Sequence, residues 1–160
     1  MERKKATKIL RYCILGLVLL TVALFIISLY NLIIGLSSAI SGGSTFGLNL
    51  NKDNPNGDWT LTLNANPKNN GVLSEKVFLQ LGILNSDGEY IASNSTSIYI
   101  EPGGQKSFSL VLTIPHDVVQ EYLESGQEAN ATFEMKFGIS TLWDLVGLTQ
   151  VMRIKGSPSI

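Results

Sequence analysis

The sequence contains a single cysteine, Cys13, and a single histidine, His116, among its 160 residues. One cysteine excludes an intrachain disulfide framework, and the two residues together are too few for a structural zinc site. Charged residues are also scarce, at 16% of the chain, against about 25% in an average soluble domain. No residue from 12 to 51 is charged, so most of the deficit falls in one continuous stretch.

The first part of this uncharged stretch, residues 12–36, is almost entirely apolar. An α-helix of about 20 residues spans the roughly 30 Å hydrocarbon core of a bilayer. Tyr12 and Tyr30 flank the stretch, as aromatic residues do at membrane interfaces. The sequence therefore predicts a transmembrane helix at residues 12–36. The alternative is a buried core helix, which rarely lacks charge over such a length.

The charges on the two sides of the predicted span have opposite signs. Five basic residues and one acidic residue precede it, whereas seven basic and twelve acidic residues follow it. Basic residues close to a span favour the cytoplasmic side. We therefore predict that residues 1–11 form a cytoplasmic basic tail and that the C-terminal domain lies outside the cell membrane. The residues that set this topology and attract anionic lipid are Arg3, Lys4, Lys5, Lys8 and Arg11.

A cleaved signal peptide is the second interpretation of the apolar stretch. Ser37, Ser38 and Ala39 are small residues of the kind that signal peptidase accepts. The apolar region of a signal peptide usually has about 7–15 residues, far fewer than this one. We therefore predict an uncleaved anchor. Cys13, at its inner boundary, is interpreted as an inert apolar residue rather than a palmitoylation site.

The chain after the span changes to short alternating runs. Residues 37–45 are rich in serine and glycine and predict a tether. From residue 46, about seven runs of alternating apolar and polar residues are separated by turn residues, which is typical of β-strands. One segment, residues 115–124, predicts a short helix. Two sheets must bury their apolar faces against each other, so residues 46–160 predict an extracytoplasmic β-sandwich domain and a mainly β fold class.

Four motifs of turns and strand edges accompany these runs: an Asn-Pro pair, a turn followed by an Ile-Ala step, a Pro-Gly turn and a strand that ends in proline. They lie at Asn66-Pro67, Asp87–Ala92, Pro102–Gly104 and Pro115. With them, the chain resembles a membrane-anchored prokaryotic member of the late-embryogenesis-abundant type 2 (water-stress/hypersensitive response) domain family. The resemblance implies an immunoglobulin-like or fibronectin-like sandwich without enzymatic residues, associated with stress tolerance or membrane contact.

The candidate chemical groups all have structural explanations. His116 lacks a G-x-S-x-G partner motif, and its neighbour on a helix cannot face it, so we interpret it as a solvent-facing residue. The oxygen-rich residues 53–58 fit no register of a calcium-binding EF-hand loop and are interpreted as a turn. Glu121 and Glu124 are interpreted as a solvated helix face. The sequence therefore predicts no enzyme activity, no cofactor and no metal site.

Three surface features remain. Asn94 and Asn130 begin N-glycosylation acceptor patterns, which occur here no more often than chance would place them. Residues 141–148 are strongly apolar and are predicted to pack in the core. The alternative is an exposed interaction patch, formed by Leu142, Trp143 and Leu145, on a partner or a bilayer. The acidic outer domain argues against nucleic acid as a partner.

These patterns predict a non-catalytic, single-pass module at the cell surface, with a structural or binding role in the envelope or in stress tolerance. Its expected partners are the lipid bilayer and another membrane or envelope protein. One alternative is a carrier that holds a lipid or small apolar ligand in a cavity of a few hundred Å³ between the sheets, as about 300–1,000 Å³ is common for ligand sites. Another is an accessory subunit of a membrane complex or an adhesin.

Overall fold

A computed structural model of the chain describes residues 2–40, 45–53, 57–124 and 131–155. A long helix precedes seven strands, and a short helix separates the fifth strand from the sixth. The elements are α1 (Glu2–Ile40), β1 (Thr45–Asn51), β2 (Trp59–Asn66), β3 (Glu75–Leu84), β4 (Tyr90–Ile100), β5 (Phe108–Ile114), α2 (His116–Val118) with a π-helical turn (Val119–Glu124), β6 (Thr132–Thr141) and β7 (Val146–Lys155).

The strands form two antiparallel sheets. One has three strands in the order β1-β2-β5, and the other has four in the order β4-β3-β6-β7. This is the immunoglobulin arrangement with the fourth strand moved to the second sheet. The predicted mainly β sandwich of about seven strands with one short helix is confirmed.

Alternation in the strands explains where the core lies. In β3, for example, Val77, Leu79, Leu81 and Ile83 are all buried, and the last three share one cluster with buried residues of β2 and β5 in the other sheet. Burial of one such side chain stabilises the fold by about 1.5–3 kcal/mol, so the space between the sheets supplies most of the stability. The buried cluster comprises Leu61, Leu63, Ala65, Leu79, Leu81, Ile83, Leu110, Leu112, Ile114, Val119 and Ala131.

The short helix covers one end of the sandwich. Val119 is fully buried in the core and Val118 is partly buried against it. At the start of α2 the backbone N–H of His116 donates to Asp58 Oδ1 at 2.9 Å. Asp58 therefore supplies an acceptor for one of the free N–H groups that every helix start presents.

Helix α1 is longer than the predicted span and continues to the sandwich. Residues 37–40 of the predicted tether are helical and β1 begins at Thr45, while residues 41–44 lie outside the described part of the chain. The C-terminal part of α1 packs against β6 and β7. The helix therefore continues through the serine-rich segment in which the sequence predicts a tether.

The apolar part of α1 projects away from the sandwich. Leu10–Gly35 is long and apolar enough to cross a membrane, with a mean hydropathy of 2.7 and only 6% of the window buried. Signal sequences meet the same criteria of length and composition. A core helix would be mostly buried, so the exposure of this stretch excludes that alternative.

The substitution Leu81→Ala should lower the free energy of unfolding by about 2–5 kcal/mol, because it opens a cavity among fully buried side chains. Val111→Ala, on the exposed face of β5, is the matched control and should change stability by less than about 0.5 kcal/mol. Urea unfolding of the full chain in detergent, followed by circular dichroism, measures both. Equal effects of the two substitutions would contradict the assigned core.

Candidate functional site at the helix–sandwich junction

The side chain of Asn31 in α1 is completely buried where the helix meets the sandwich. Its Oδ1 accepts hydrogen bonds from the backbone N–H groups of Val72 at 2.6 Å and Leu73 at 2.8 Å. Its Nδ2 donates to Glu75 Oε1 at 2.7 Å and to the Leu73 carbonyl oxygen at 3.3 Å. An amide offers two donors and an acceptor oxygen with two lone pairs, so every position is used. One helical side chain therefore fixes the β2–β3 loop.

Asn69 holds the same loop from inside the sandwich. Its Nδ2 donates to the carbonyl oxygens of Leu73 at 2.8 Å and Ile100 at 3.0 Å, and its Oδ1 accepts from the N–H of Gly71 at 2.8 Å. Its backbone carbonyl accepts from the N–H of Gly103, which has a φ of 73° in the β4–β5 turn. The loop is therefore held between α1 on one side and this turn on the other.

Glu75, the first residue of β3, is a buried carboxyl group at the junction. A Cβ atom placed on Gly35 would lie 2.7 Å from Glu75 Oε1, so α1 approaches the carboxyl group closely. Burial raises the pKa of Glu75 from 4.5 to about 7, because a low-dielectric site disfavours the charged form. Thr141 lies opposite Glu75 in the ladder, and its buried hydroxyl has no hydrogen-bond partner among the described residues.

Apolar packing completes the junction. Leu32 is almost fully buried, and it borders a cavity of about 390 Å³ between α1 and the β6–β7 edge of the sandwich. The carrier hypothesis expected a cavity between the two sheets instead. In the described part of the chain, that space is filled by the buried cluster. The cavity is lined by Leu32, Phe137, Ile139, Leu148, Thr149, Gln150 and Val151.

The apolar segment after β6 is exposed, which corrects the prediction that it packs in the core. Trp143 is 91% exposed and Leu145 is 79% exposed, while Leu142 is half-buried. Thr141 pairs directly with Val146, so the four residues between them form a hairpin tip that extends beyond the sheet. The three residues of the alternative interaction patch therefore lie together at the surface.

This hairpin tip has an unusual backbone that is held by polar contacts. Leu142, Trp143 and Asp144 have φ values of 52°, 55° and 68°, a region that residues other than glycine rarely adopt. The carboxylate of Asp144 accepts hydrogen bonds from Lys76 Nζ at 2.7 Å and from the hydroxyl group of Ser140. These contacts fix the tip against β3 and β6 and keep the Trp143 ring in solvent.

A second buried carboxylate, Glu134, lies on the outward face of the four-stranded sheet. It accepts hydrogen bonds from the Tyr90 hydroxyl group and from Arg153 Nε at 2.6 Å, and Lys136 Nζ lies 3.2 Å away. The Tyr90 hydrogen bond, together with those from Arg153 and Lys136, lowers the pKa of Glu134 to about 2 although burial acts in the opposite direction. The group links β4, β6 and β7 as an ion cluster.

The other candidate chemical residues have structural contacts. His116 is exposed, and its Nδ1 lies 3.2 Å from the Gly57 carbonyl oxygen. The residues that the structure describes contain no group of three or more side chains suited to hold a metal ion. Within the oxygen-rich turn, Asp58 bonds to the start of α2, while residues 54–56 lie outside the described ranges.

The structure describes only some of the predicted glycosylation sites and of the basic residues that are predicted to set the topology. Asn94 is exposed, but its Nδ2, the atom that a glycan would modify, donates to the Val111 carbonyl oxygen at 2.7 Å. Asn130 is outside the described residues. Among the basic residues, Lys8 and Arg11 are exposed on α1. The side chains that fall outside the description are those of Arg3, Lys4 and Lys5.

Sequence reasoning missed Asn31, Asn69 and Glu75. A signal for Glu75 exists, because it shares the strand parity of Val77 and therefore points inward. A weaker signal exists for Asn31, which lies three residues after Ser28 on one face of the apolar helix, and both side chains are buried. No local pattern identifies Asn69 as more than one of several asparagines in a polar loop.

No protein-family model matches the chain, and no curated protein matches it. Several solved structures are similar to it. A glycosyl hydrolase family 2 member from Bacteroides cellulosilyticus is 10% identical, with 69% of this chain and 14% of that chain covered and a TM-score of 0.46. A β-glucuronidase from Bacteroides uniformis is 13% identical, with coverages of 70% and 13% and a TM-score of 0.45.

A protein from Archaeoglobus fulgidus is 9% identical, with 73% of this chain and 96% of that chain covered and a TM-score of 0.41. This chain therefore spans only a small part of the two hydrolases, although it spans nearly all of the archaeal protein. At these identities and TM-scores, none of the similarities carries an argument about activity or substrate.

The substitution Asn31→Ala should leave the part-buried N–H groups of Val72 and Leu73 without their side-chain acceptor, at a cost of about 1–3 kcal/mol. Hydrogen exchange of the full chain in detergent should then show faster exchange of these two amides. Asn64→Ala, which truncates an exposed asparagine in β2, is the matched control and should leave their exchange unchanged. Unchanged protection in the Asn31 variant would contradict the assigned junction.

Glu75 and Glu134 should give the stability opposite dependences on pH. Because the pKa of Glu75 is raised in the fold, its contribution is fully present below pH 4.5 and is lost as the pH rises to about 7. At about 1.4 kcal/mol per pKa unit, the loss approaches 3 kcal/mol. Because the pKa of Glu134 is lowered, its contribution is lost as the pH falls from 4.5 towards 2.

Urea unfolding at a series of pH values separates the two groups. Glu75→Gln should flatten the profile between pH 4.5 and 7 and leave the acid limb in place, whereas Glu134→Gln should do the reverse. A Glu75→Gln profile that still falls across the upper window would show that this carboxyl group is not responsible.

Proposed function

We propose that the protein is a single-pass, membrane-anchored and non-catalytic β-sandwich module at the cell surface. In this proposal α1 crosses the membrane once, with the basic N-terminus in the cytoplasm and the sandwich outside. The role is structural or binding, in the envelope or in stress tolerance, as the resemblance to late-embryogenesis-abundant type 2 domains implies. The bilayer and another membrane or envelope protein are its partners.

The observation that carries this proposal is the way in which one helix combines two environments. The stretch Leu10–Gly35 is apolar and almost entirely exposed, an arrangement that is costly in water and favourable in lipid. The end of the same helix is joined to the sandwich by the buried amide of Asn31. A helix that is merely an appendage would not need a buried polar joint with the domain it carries.

The joint also supports an uncleaved anchor. The small residues Ser37–Ala39, which suit signal peptidase, lie inside the helix rather than in an extended segment. Cleavage after Ala39 would remove Asn31 and Leu32 from the sandwich. The buried Glu75 and the N–H groups of the β2–β3 loop would then lose their partners, at a cost of about 1–3 kcal/mol for each buried polar group.

A non-catalytic role is supported by what the titratable groups contact. Glu134, whose pKa is strongly lowered, has its charge matched by Arg153 and Lys136. Glu75 is buried against α1, where its carboxyl group accepts a hydrogen bond from Asn31. The His116 ring lies beside a backbone carbonyl oxygen rather than a nucleophile. Each of these three groups therefore has a structural contact.

Fractionation of native cells tests the anchor and its orientation. The intact chain should stay with the membrane during alkaline carbonate extraction, and protease added to intact cells should digest the sandwich. Recovery of a soluble protein that begins near Ile40 would overturn the anchor in favour of a signal peptide. Complete protection of the sandwich from protease would overturn the orientation.

Charge substitution tests which residues set the orientation. Lys8→Glu combined with Arg11→Glu should reduce the fraction of chains whose sandwich is accessible outside, because basic residues next to a span favour the cytoplasmic side. Lys52→Glu, which alters the first charge after the apolar stretch, is the control and should leave the accessible fraction unchanged. Equal effects would show that the N-terminal charges do not determine topology.

A further inference from the structure

We propose that the β6–β7 hairpin tip, residues Leu142–Leu145, and the neighbouring β2–β3 loop insert into the interface of the bilayer that α1 crosses. The inference rests on the proposed anchor and adds a second contact with lipid. It makes the sandwich a domain seated on the membrane surface, rather than one that moves freely above it.

The tip and the helix leave the sandwich at the same end. Asn31 bonds to Val72, Leu73 and Glu75, and Glu75 begins β3. Glu75 is paired with Thr141, the last residue before the tip. The tip and the β2–β3 loop even line one cavity of about 320 Å³. The junction and the tip are therefore neighbours.

Exposed apolar side chains collect at this end of the sandwich. Besides the nearly bare Trp143 and Leu145, Val72 in the β2–β3 loop is 63% exposed and Tyr30 on α1 is 58% exposed. The charge at the tip is neutralised, because Asp144 is paired with Lys76. Tryptophan and tyrosine are the residues that membrane proteins place at the headgroup level.

The length of the helix below the junction matches the thickness of a bilayer. Arg11, the last basic residue before the apolar stretch, precedes Asn31 by 20 residues. A helix of that length rises by about 30 Å, which is the thickness of the hydrocarbon core. With Arg11 at one interface, Asn31 lies at the other. The β2–β3 loop that Asn31 holds, and the tip beside it, are then at headgroup level.

The backbone conformation of the tip makes it point outward. Three consecutive residues with positive φ cost free energy, on the order of 1–3 kcal/mol each. The contacts of Asp144 with Lys76 and Ser140 maintain this conformation. This conformation holds the indole ring away from the protein surface. In water the exposed ring contributes no stabilising free energy, whereas in lipid its apolar surface would be buried.

The two tryptophans provide a matched pair of probes for the test. Trp143 lies at the junction end, and Trp59 begins β2 at the opposite end of the sandwich, about 25 Å away for a strand of eight residues. Trp59→Phe leaves Trp143 as the only indole, and Trp143→Phe leaves Trp59. The full chain of each variant is reconstituted in phosphatidylcholine–phosphatidylglycerol nanodiscs, with or without lipids brominated near the headgroup end of the acyl chain.

We expect brominated lipid to reduce the emission of Trp143 and to leave that of Trp59 unchanged. We also expect the emission maximum of Trp143 to lie at a shorter wavelength in nanodiscs than in a detergent-free sample of the same chain that is kept soluble by amphipol. If Trp59→Phe fails to fold, the unmodified chain replaces it, and the difference between its quenching and that of Trp143→Phe reports Trp143.

Three outcomes would overturn the inference. Trp143 emission that bromine leaves unchanged while aqueous acrylamide quenches it would place the tip in water. Emission protected from both quenchers would indicate a protein partner or a second copy instead of lipid. Equal bromine quenching of both tryptophans would show that the sandwich has no fixed orientation on the membrane surface. In each case, co-flotation of the chain with the nanodiscs shows separately whether the anchor itself holds.

Discussion

The buried amide of Asn31 is the contact on which the arrangement of the molecule depends. It satisfies two backbone N–H groups of the β2–β3 loop and a side-chain carboxyl group at the start of β3. Unpaired polar groups in such a place are expensive, so the loop keeps its shape only while the helix is docked. The direction of α1, the position of the loop and the environment of Glu75 are therefore set together.

The two buried carboxyl groups of the four-stranded sheet show that burial alone does not decide protonation. Glu75 is next to an amide and the helix backbone, and its pKa rises to about 7. Glu134 is equally hidden from solvent but is bonded by a hydroxyl group and two cationic side chains, and its pKa falls to about 2. The partners determine the sign of the shift. The junction is thereby held by a group that is about half protonated near pH 7, while the outer face is held by full charges.

The sandwich could be predicted from the sequence because each strand is encoded by neighbouring residues. The junction could not be predicted, because it depends on contacts between residues that are far apart in the chain. Alternation with period two assigned the inward residues of β3 and β5, and the short helix after Ile114 followed from its cap and helix formers. The contact between Asn31 and Glu75 joins residues 44 positions apart, and no periodicity encodes it. The tip containing Trp143 was assigned to the core because hydrophobicity does not reveal that Thr141 and Val146 are paired. Residues 37–40 resembled a tether because their serine-rich composition does not reveal that α1 continues through them.

Continuity between helix and domain has a rotational consequence. Successive residues of an α-helix are turned by about 100°, and the face that carries Ser28, Asn31 and Leu32 is the one turned towards the sandwich. The rotation of the apolar stretch about the helix axis is therefore fixed relative to the two sheets. A neighbour that packs against one side of α1 always meets the same side of the sandwich, and a residue inserted between positions 12 and 27 would turn the two out of alignment.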